Sequence, residues 1–419
     1  MPKLLIINVA LNWGSTGRIA EQVGSLAKDN GWNVMIAHGA RYQNPTQFSH
    51  YQVSSSFEEK MHWGISQFWD GQGRGSWFAT KRLLKEIDAF QPDVVHMHVI
   101  HGYYINYGLI MNYFKEKNIP VVWTLHDCWA FTGHCAYFTA ANCEKWKTQC
   151  GQCPIPHDFP NTYLDRSKAN YNRKKQVYGD MQNLVLAPVS QWLGDLVKES
   201  FLGKHEIQVV YNGIDVDVFK PSVSNFKKKL GVEGKYLLLG VAQGFDERKG
   251  LKDFFKLSEM LPDDYQVVLL GAMEDEIAIA PTSVIALPKT ESLQELVEAY
   301  SAADVLLSLS YEETFGLTPV EAMSCGTPAI VYNNTAQPEH ITPETGFVVE
   351  NGDLDTLVTR IKTLCENGKA NYSEACRERA VNVYNKDNCY NMYITIFDKL
   401  FNEKSNNIRN IRPASSRSY

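Results

Sequence analysis

Two carboxylates, Glu313 and Glu321, are the residues of this chain whose types and spacing point most directly to chemistry. Glu313 lies on an aromatic-glycine loop that leaves a predicted strand, and Glu321 is expected just inside the helix that follows. A loop that opens onto a helix N-terminus favours anionic ligands, because free N–H groups and the helix dipole point at them. Two carboxylates beside such a site predict recognition of hydroxyl groups on a molecule that also carries phosphate, and a nucleotide sugar has that chemistry.

The same stretch also has a purely structural interpretation. Thr318 can cap the helix, with Pro319 at the first helical position and Glu321 at the third, which is the pattern of a capping box. Glu321 would then serve only its own helix, and Glu313 would be a solvated loop residue. The spacing alone leaves the two interpretations open, and the residues around the pair must decide between them.

Length and composition favour a soluble protein of two domains. A chain of 419 residues, 44% apolar and 21% charged, is long enough for two separate cores. The net charge of −6 argues against a nucleic-acid binder, which is normally basic over its binding face. The apolar runs are of strand length, and Met1–Asn8 enters a strand without the small-residue cleavage site of a signal peptide. We therefore expect a cytoplasmic protein whose nine cysteines stay reduced.

Short apolar segments alternate with amphipathic segments along both halves of the chain, and this alternation predicts doubly wound parallel sheets. The first half has predicted strands at Lys3–Val9, Asn33–Ala37, Asp93–His98, Pro120–Leu125 and Leu184–Pro188. The second half has predicted strands at Tyr236–Ala242, Tyr265–Gly271, Ser283–Leu287, Asp304–Ser310, Pro328–Tyr332 and Gly346–Val349. Predicted helices include Arg18–Asn30, Leu251–Leu261, Leu293–Ala302 and Leu354–Cys365. The expected fold class is α/β, with two Rossmann-like domains that face one another across a cleft at the carboxyl ends of both sheets.

Turn residues between Val209 and Pro221 separate the two halves. We predict a first domain over residues 1–208, with a cysteine-rich insert at 127–158, and a second domain over residues 209–385. A long helical segment from about Tyr372 to Phe401 is expected to pack back on the first domain. Residues 402–419, which are polar with scattered arginines, are predicted to form a disordered tail.

The spacing Glu313-x7-Glu321, with Phe315-Gly316 between the carboxylates, resembles the signature of the GT-B-fold retaining glycosyltransferases of family 4 (glycosyl transferases group 1). Further motifs fall in the order of that family, so the resemblance extends from Lys3 to about Phe401. They are Gly14/Gly17, Asp93–His98, Thr124–His126, Asn212–Asp215 with Phe219 and Pro221, Lys249-Gly250 and Ala302–Val305. By contrast, the segment Asn12–Gly17 lacks the G-x-G-x-x-G spacing of a dinucleotide-binding oxidoreductase.

The resemblance implies roles for matching residues. Glu313 would bind hydroxyls of the donor sugar, Glu321 the ribose, and Lys249 the diphosphate, while His126 would lie near the reacting centre. Stabilisation of charge on a leaving group is usually the largest catalytic contribution. Further donor contacts are expected from Gly244, Arg248, Pro288, Lys289, Phe315, Gly316, Leu317 and Thr318. Contacts to the acceptor or the phosphates are expected from Gly14, Ser15, Thr16, Gly17, His98 and Asp127.

The chain departs from the family at one position. Members commonly carry an arginine five residues before the lysine, where this chain has Gly244. Arg248 could supply the second positive charge, or it could be a solvent-exposed residue at a helix start. The sequence leaves both alternatives open.

The implied reaction is the transfer of a hexose, with retention of configuration, from a nucleotide-diphosphate sugar (UDP or GDP) to a saccharide or lipid-linked acceptor. Such a reaction would serve the synthesis of a surface polysaccharide or glycolipid, and the resemblance implies that catalysis requires no cofactor. Two alternatives are a nucleotide-sugar-binding scaffold without transferase activity and a GT-B nucleotide-sugar epimerase.

Two further features concern the first domain. Cys135, Cys143, Cys150 and Cys153 could bind a structural zinc ion as four thiolates, or they could be free or redox-labile thiols. The basic run Arg166–Lys175 predicts either a solvated helix face or peripheral contact with anionic lipid at the inner face of the membrane.

Overall fold

The computed structural model describes residues 1–411, which form two compact units. One unit comprises Met1–Val210 together with residues 390–411, and the other comprises Tyr211–Cys389. The first boundary thus follows residue 210, where the prediction has 208. The second unit runs to residue 389, where the prediction has 385.

The first unit is a parallel sheet with helices between its strands. The strands are β1 (Lys3–Asn8), β2 (Asn33–His38), β3 (Ser49–Gln52), β4 (Val94–Met97), β5 (Val121–Leu125), β6 (Leu184–Pro188) and β7 (Glu206–Ile207). The helices are α1 (Gly14–Asp29), α2 (Ser56–Trp69), α3 (Trp77–Phe90), α4 (Tyr107–Glu116), α5 (Ser167–Gly179) and α6 (Gln191–Glu199), with a short 3-10 helix at Lys145–Lys147. All neighbouring strands are parallel, in the order β3-β2-β1-β4-β5-β6-β7.

Burial explains which of these strands are predictable from the sequence. Every residue of β4, β5 and β6 is buried, as expected where helices cover both faces of a parallel sheet. By contrast, β3 is the polar segment Ser-His-Tyr-Gln at one edge, and β7 contains only two residues at the other. These two strands lack an apolar run and are therefore missing from the predicted set.

The second unit repeats the design with six parallel strands. They are β8 (Tyr236–Val241), β9 (Tyr265–Leu270), β10 (Val284–Leu287), β11 (Val305–Ser308), β12 (Ala329–Tyr332) and β13 (Gly346–Val349). The helices are α7 (Phe226–Leu230), α8 (Leu251–Met260), α9 (Glu274–Ile279), α10 (Leu293–Ala302), α11 (Leu317–Ser324), α12 (Leu354–Asn367) and α13 (Ala370–Tyr384), with 3-10 helices at Glu247–Lys249 and Gln337–His340. The sheet order is β10-β9-β8-β11-β12-β13.

The helical segment predicted from about residue 372 to 401 is two helices, α13 and α14 (Lys386–Ile411), which are separated at Asn385. The break has a backbone cause. Ile214 N–H donates to Tyr384 O at 2.8 Å and Lys386 N–H donates to Ile214 O at 2.9 Å, so the chain at 385 pairs with an extended segment instead of continuing the helix. Helix α14 runs to Ile411, so a disordered tail starting at 402 is not observed, and residues 412–419 lie outside the described residues.

Helix α14 completes the core of the first unit. The Thr124 hydroxyl donates to the Tyr393 hydroxyl at 2.8 Å, and Trp32 Nε1–H donates to Asp398 at 3.2 Å. The Phe397 ring is fully buried and lies edge-on to Trp32. None of the helices within residues 1–411 combines the length and the hydropathy needed to span a bilayer.

Candidate active site

The carboxyl ends of β8 to β11 meet at one edge of the second sheet, and most of the predicted donor residues follow these strand ends. The loop from Gly244 to Lys249 follows β8, Pro288 and Lys289 follow β10, and Glu313 follows β11. The parallel pairing of these strands therefore gathers at one edge residues that are distant in sequence.

Lys249 and Glu313 form an ion pair at this edge, although they lie in different loops. The two side chains are 23% and 19% exposed, so water screens the pair only partly. The Glu313 backbone is held on both sides: its N–H donates to the Thr335 hydroxyl at 2.9 Å, and its carbonyl accepts from Ala336 N–H at 3.2 Å. The geometry thus fixes a carboxylate and an ammonium side by side in a partly shielded position.

The turn that carries Lys249 is defined by local hydrogen bonding and by a close backbone approach. Asp246 caps the 3-10 helix, because its carboxylate accepts from Lys249 N–H at 2.9 Å. Gly250 has a φ of 75°, and a Cβ there would lie 2.2 Å from Leu309 O. Only glycine therefore lets the loop after β8 lie against the loop after β11.

The structure explains why glycine stands at 244 and where Arg248 goes. Gly244 has a φ of 85°, a left-handed conformation that costs side-chain-bearing residues about 1–2 kcal/mol. Arg248 Nη1 donates to the Glu312 carbonyl at 3.2 Å, and Arg248 O accepts from Tyr311 N–H at 2.8 Å. The guanidinium thus lies along the segment that carries Glu313 and is not a freely solvated group.

The capping-box prediction for α11 is wrong. The helix begins at Leu317 with Gly316 as its N-cap, at a φ of 85° and without a side-chain cap. The left-handed turn at Gly316 starts the helix before Thr318, and Pro319 fits in the first turn because no intrahelical bond is needed there. Glu321 is therefore one turn into the helix, where its carboxylate accepts from the Tyr300 hydroxyl at 2.7 Å.

The other predicted donor residues differ in how far their side chains are exposed. The Phe315 ring is buried, and its carbonyl lies 2.5 Å from His340 Nε2, which anchors the loop. Leu317 and Thr318 are partly exposed in the first turn of α11, whereas Pro288 and Lys289 are exposed beyond β10.

In the first unit, His98 follows β4 and His126 follows the neighbouring strand β5. His98 Nδ1 and His126 Nε2 are 3.0 Å apart, and the rings stack with centroids 5.3 Å apart. Burial lowers the pKa of His126 to about 4, against the opposing effect of Asp127, and burial lowers the pKa of His98 well below its usual value. Both imidazoles are therefore neutral at pH 7, and one donates a hydrogen bond to the other.

Asp127 pairs with His101, a residue that the sequence motifs do not single out. His101 Nε2 and Asp127 Oδ2 are 2.7 Å apart, and Trp129 N–H donates to Asp127 Oδ1 at 2.9 Å. Burial opposes ionisation of Asp127, but His101 and these hydrogen bonds lower its pKa overall. The four residues His98, His101, His126 and Asp127 line one small cavity. The position of His101, three residues after His98 at the same strand end, is the signal that could have identified it.

Residues 14–17, which are expected to contact the acceptor or the phosphates, form the first turn of α1. Gly14, at a φ of 64°, starts the helix. A Cβ on Gly17 would lie 3.3 Å from Asn12 N, so glycine there also serves helix packing. Ser15 and Thr16 are the side chains of this turn that remain at least partly accessible.

All nine cysteines are free thiols, and the four that the sequence pairs with zinc line one cavity of the first unit. Within residues 1–411, no three His, Cys, Asp or Glu side chains already surround a common point as metal ligands.

The basic run Arg166–Lys175 forms most of α5, but Lys174 is buried, and its ammonium donates to Trp129 O at 2.5 Å and Thr132 O at 3.1 Å. Lys174 is therefore not available to a lipid surface, whereas Lys168, Arg173 and Lys175 are exposed.

Comparisons with known proteins agree with this organisation. A family model described as Glycosyltransferase Family 4 matches residues 18–218, and one described as Glycosyl transferases group 1 matches residues 222–383. A protein described as a colanic acid biosynthesis glycosyl transferase of Escherichia coli (strain K12) is 27% identical over 276 residues. The match covers 64% of this chain, and the chain spans 66% of the length of that relative.

Solved structures of low sequence identity share the fold. Sucrose-phosphate synthase from Thermosynechococcus elongatus has a TM-score of 0.74 at 16% identity, over 96% of this chain and 100% of that one. HepE of Anabaena, solved in complex with UDP-glucose, has a TM-score of 0.64 at 13% identity, over 97% of this chain and 100% of that one. The predicted fold class of two parallel-sheet α/β domains is confirmed. Together with the family models, these likenesses confirm the resemblance drawn from Glu313-x7-Glu321, and the chain belongs to the GT-B-fold glycosyltransferases of family 4 (glycosyl transferases group 1).

Proposed function

We propose that this protein transfers a hexose, with retention of configuration, from a nucleotide-diphosphate sugar to a saccharide or lipid-linked acceptor in the synthesis of a surface polysaccharide or glycolipid. The observation that carries the proposal is the partly shielded pair of Lys249 and Glu313, with Arg248 beside it. A cation and a carboxylate side by side match a donor that presents phosphate and sugar hydroxyls together.

When the donor binds, the ion pair between Lys249 and Glu313 breaks, and each of the two side chains contacts the ligand instead. Lys249 and Arg248 neutralise the diphosphate, whose negative charge grows as the glycosidic bond breaks. Glu313, released from Lys249, accepts hydrogen bonds from hydroxyls of the sugar. Glu321, oriented by Tyr300, accepts from the ribose. The complex of HepE with UDP-glucose supports this class of donor.

The proposed transfer step uses the same charged residues. The bond between the anomeric carbon and the diphosphate oxygen breaks, and the acceptor oxygen forms its bond to that carbon on the same face. The acceptor proton passes to the departing phosphate oxygen. Because the new bond forms on the face that the phosphate leaves, configuration is retained, whereas a double displacement would need a carboxylate nucleophile. His126 keeps the catalytic role that the family resemblance implies for it, and the cations Lys249 and Arg248 take the place of a catalytic metal ion.

An exposed apolar surface of the first unit supports a lipid-linked acceptor at the inner face of the membrane. The buried side of α2 is polar, with His62, Ser66 and Gln67, and its large apolar side chains point to solvent instead. The Phe68 ring lies 5.6 Å from that of Tyr163, so the surface continues onto the segment before the basic helix α5. We call this surface the aromatic face; it comprises Phe57, Met61, Trp63, Ile65, Phe68, Trp69, Tyr163 and Leu164, each of which is exposed.

Aromatic side chains beside exposed cations are typical of segments that lie in the interfacial region of an anionic bilayer. The cations Lys168, Arg173 and Lys175 of α5 follow Tyr163 and Leu164 closely in the chain. A cytoplasmic enzyme that contacts the membrane through this face would reach an acceptor whose lipid stays in the bilayer.

A donor panel tests the proposal. The purified protein is incubated with UDP- and GDP-hexoses and with a bacterial lipid extract, and the products are followed by mass spectrometry and by NMR of the anomeric proton. We expect a glycosylated lipid or saccharide whose anomeric configuration matches the donor. Tight donor binding without turnover on any acceptor would favour a scaffold, and release of an epimerised sugar would favour the epimerase alternative.

A further inference from the structure

The cysteine-rich insert of the first unit surrounds a cavity that the transfer reaction does not use. Cys135, Cys143, Cys150 and Cys153 all line this cavity, together with the neighbouring His134. Two aromatic side chains, Phe138 and Trp146, form another part of its wall and are buried. Four thiols from one short segment thus line one cavity.

His134 supplies a second observation. Its imidazole is almost completely buried, and its Nδ1 lies 2.7 Å from a carboxylate oxygen of Asp70, which is equally buried. Its Nε2 has no partner among the described residues. A buried polar atom without a partner costs about 1–3 kcal/mol, so a further group is expected beside this nitrogen. Carboxylate-held imidazoles of this kind recur around metal sites.

The backbone around the thiols is already organised. Gly133 N–H donates to Cys150 Sγ at 3.2 Å, and a side chain at 133 is excluded because a Cβ there would lie 2.2 Å from Ser167 O. Cys153 N–H donates to Asp165 at 2.8 Å. These contacts fix the C-x2-C turn at Cys150 and Cys153 before any ligand is present.

A buried lysine lies at the wall of the same cavity. The buried Lys174 ammonium donates to the Thr132 carbonyl at 3.1 Å, and Thr132 lines the same cavity. A tetrahedral zinc ion with four thiolates carries two net negative charges, which a buried site must balance. Lys174, which is held at the wall of the cavity through Thr132, is the group placed to offset that charge.

We propose that Cys135, Cys143, Cys150 and Cys153 bind one structural zinc ion as thiolates, with His134, which Asp70 holds in place, lying beside the metal. The sulfurs do not yet surround a common point within residues 1–411. Rotation about χ1 is the movement by which each thiol turns toward the metal. With all four positions occupied by protein, the zinc ion braces the insert that follows His126 and does no chemistry itself.

The test measures metal directly and is independent of sugar transfer. The full-length protein, expressed with added zinc and purified with a reductant, is analysed for metal by mass spectrometry. We expect close to one zinc ion per chain. Replacing the zinc with cobalt should give the strong visible absorption of a tetrahedral thiolate complex.

Variants identify the ligands. Cys150→Ser and Cys153→Ser should each lose most of the zinc, whereas Cys128→Ser, a change of a buried cysteine in the same insert, should keep it. His134→Gln should retain zinc but release it to a chelator faster than the wild type does. Because a variant can fail to fold, the wild-type cobalt spectrum is the independent check. A wild type with almost no zinc and no cobalt–thiolate absorption would overturn the proposal, as would a disulfide between Cys135 and Cys153 in the native protein.

Discussion

At the scale of single residues, the proposed donor site is built around a pair of opposite charges. Lys249 and Glu313 come from loops after different strands, and Arg248 joins them through the Glu312 carbonyl. The family resemblance predicts Glu313 and Lys249 as site residues, but it does not predict that they pair. The side-chain direction of Arg248 likewise depends on the fold of the turn, which is set by Asp246 and Gly250.

The backbone at Gly244 leads to a first prediction. Gly244→Arg restores the family's arginine. However, the backbone at residue 244 has a φ of 85°, so the arginine would have to adopt a left-handed conformation. We expect a loss of about 1–2 kcal/mol in the free energy of unfolding, with no gain in kcat/KM. Gln243→Arg, at the exposed neighbouring position, is the matched control and should leave thermal stability unchanged. A Gly244→Arg protein that is as stable as the wild type and more active would contradict this explanation.

His340 gives a prediction on pH. It is buried between Phe315 O and the Tyr384 hydroxyl, and burial lowers its pKa from 6.5 to about 4. Between these two values the unfolded chain binds a proton that the folded chain does not, so stability falls as pH drops from 6.5 to 4. The shift corresponds to about 3 kcal/mol at the acid end of this window.

Thermal unfolding at pH 7 and at pH 5 measures this effect. The wild type should lose stability over that interval, and His340→Gln, which cannot take up the proton, should lose less. An equal loss in both proteins would show that the acid sensitivity arises elsewhere.

At the scale of elements, the predictable parts are those whose sequence pattern reflects burial. All six strands of the second unit begin and end within two residues of their predicted bounds, because each is a short run of mostly apolar residues. The start of α11 is different, since the left-handed turn at Gly316 overrides the capping pattern of Thr318 and Glu321. The separation of α13 from α14 depends on pairing with Ile214, a distant segment that no local pattern reveals.

Helix α14 should be essential to the first unit. Phe397→Ala removes a fully buried ring that contacts Trp32, and such changes typically cost about 3–5 kcal/mol. Met392→Ala, on the same helix but 42% exposed, should cost far less. Denaturant unfolding of both variants compares them directly, and similar losses would argue against a core role for this helix.

At the scale of the whole molecule, the aromatic face predicts membrane contact. The full-length protein should bind vesicles rich in anionic lipid at low salt and bind neutral vesicles more weakly. Each large apolar side chain that leaves the bilayer forfeits about 1.5–3 kcal/mol. The triple change Trp63→Ala, Phe68→Ala and Trp69→Ala should therefore reduce vesicle binding by at least about tenfold.

The control for this experiment lies on the second unit. Met260→Ala with Ile279→Ala removes two exposed apolar side chains that do not belong to the aromatic face. Vesicle binding by this control should match that of the wild type. Equal binding by the triple variant and the wild type would remove the aromatic face as the contact.

The central claim is that Glu313 binds the donor sugar while Lys249 and Arg248 stabilise the departing diphosphate. The most direct test is kcat/KM for sugar transfer by the wild type, by Glu313→Gln and by Glu247→Gln. Glu247 is exposed, lies in the 3-10 helix that carries Lys249 and pairs with Lys252. Its substitution therefore measures the effect of losing a carboxylate close to Lys249. We expect Glu313→Gln to lower kcat/KM by about 10²–10³, with Glu247→Gln close to the wild type. Wild-type turnover by Glu313→Gln would contradict the proposed role of this residue.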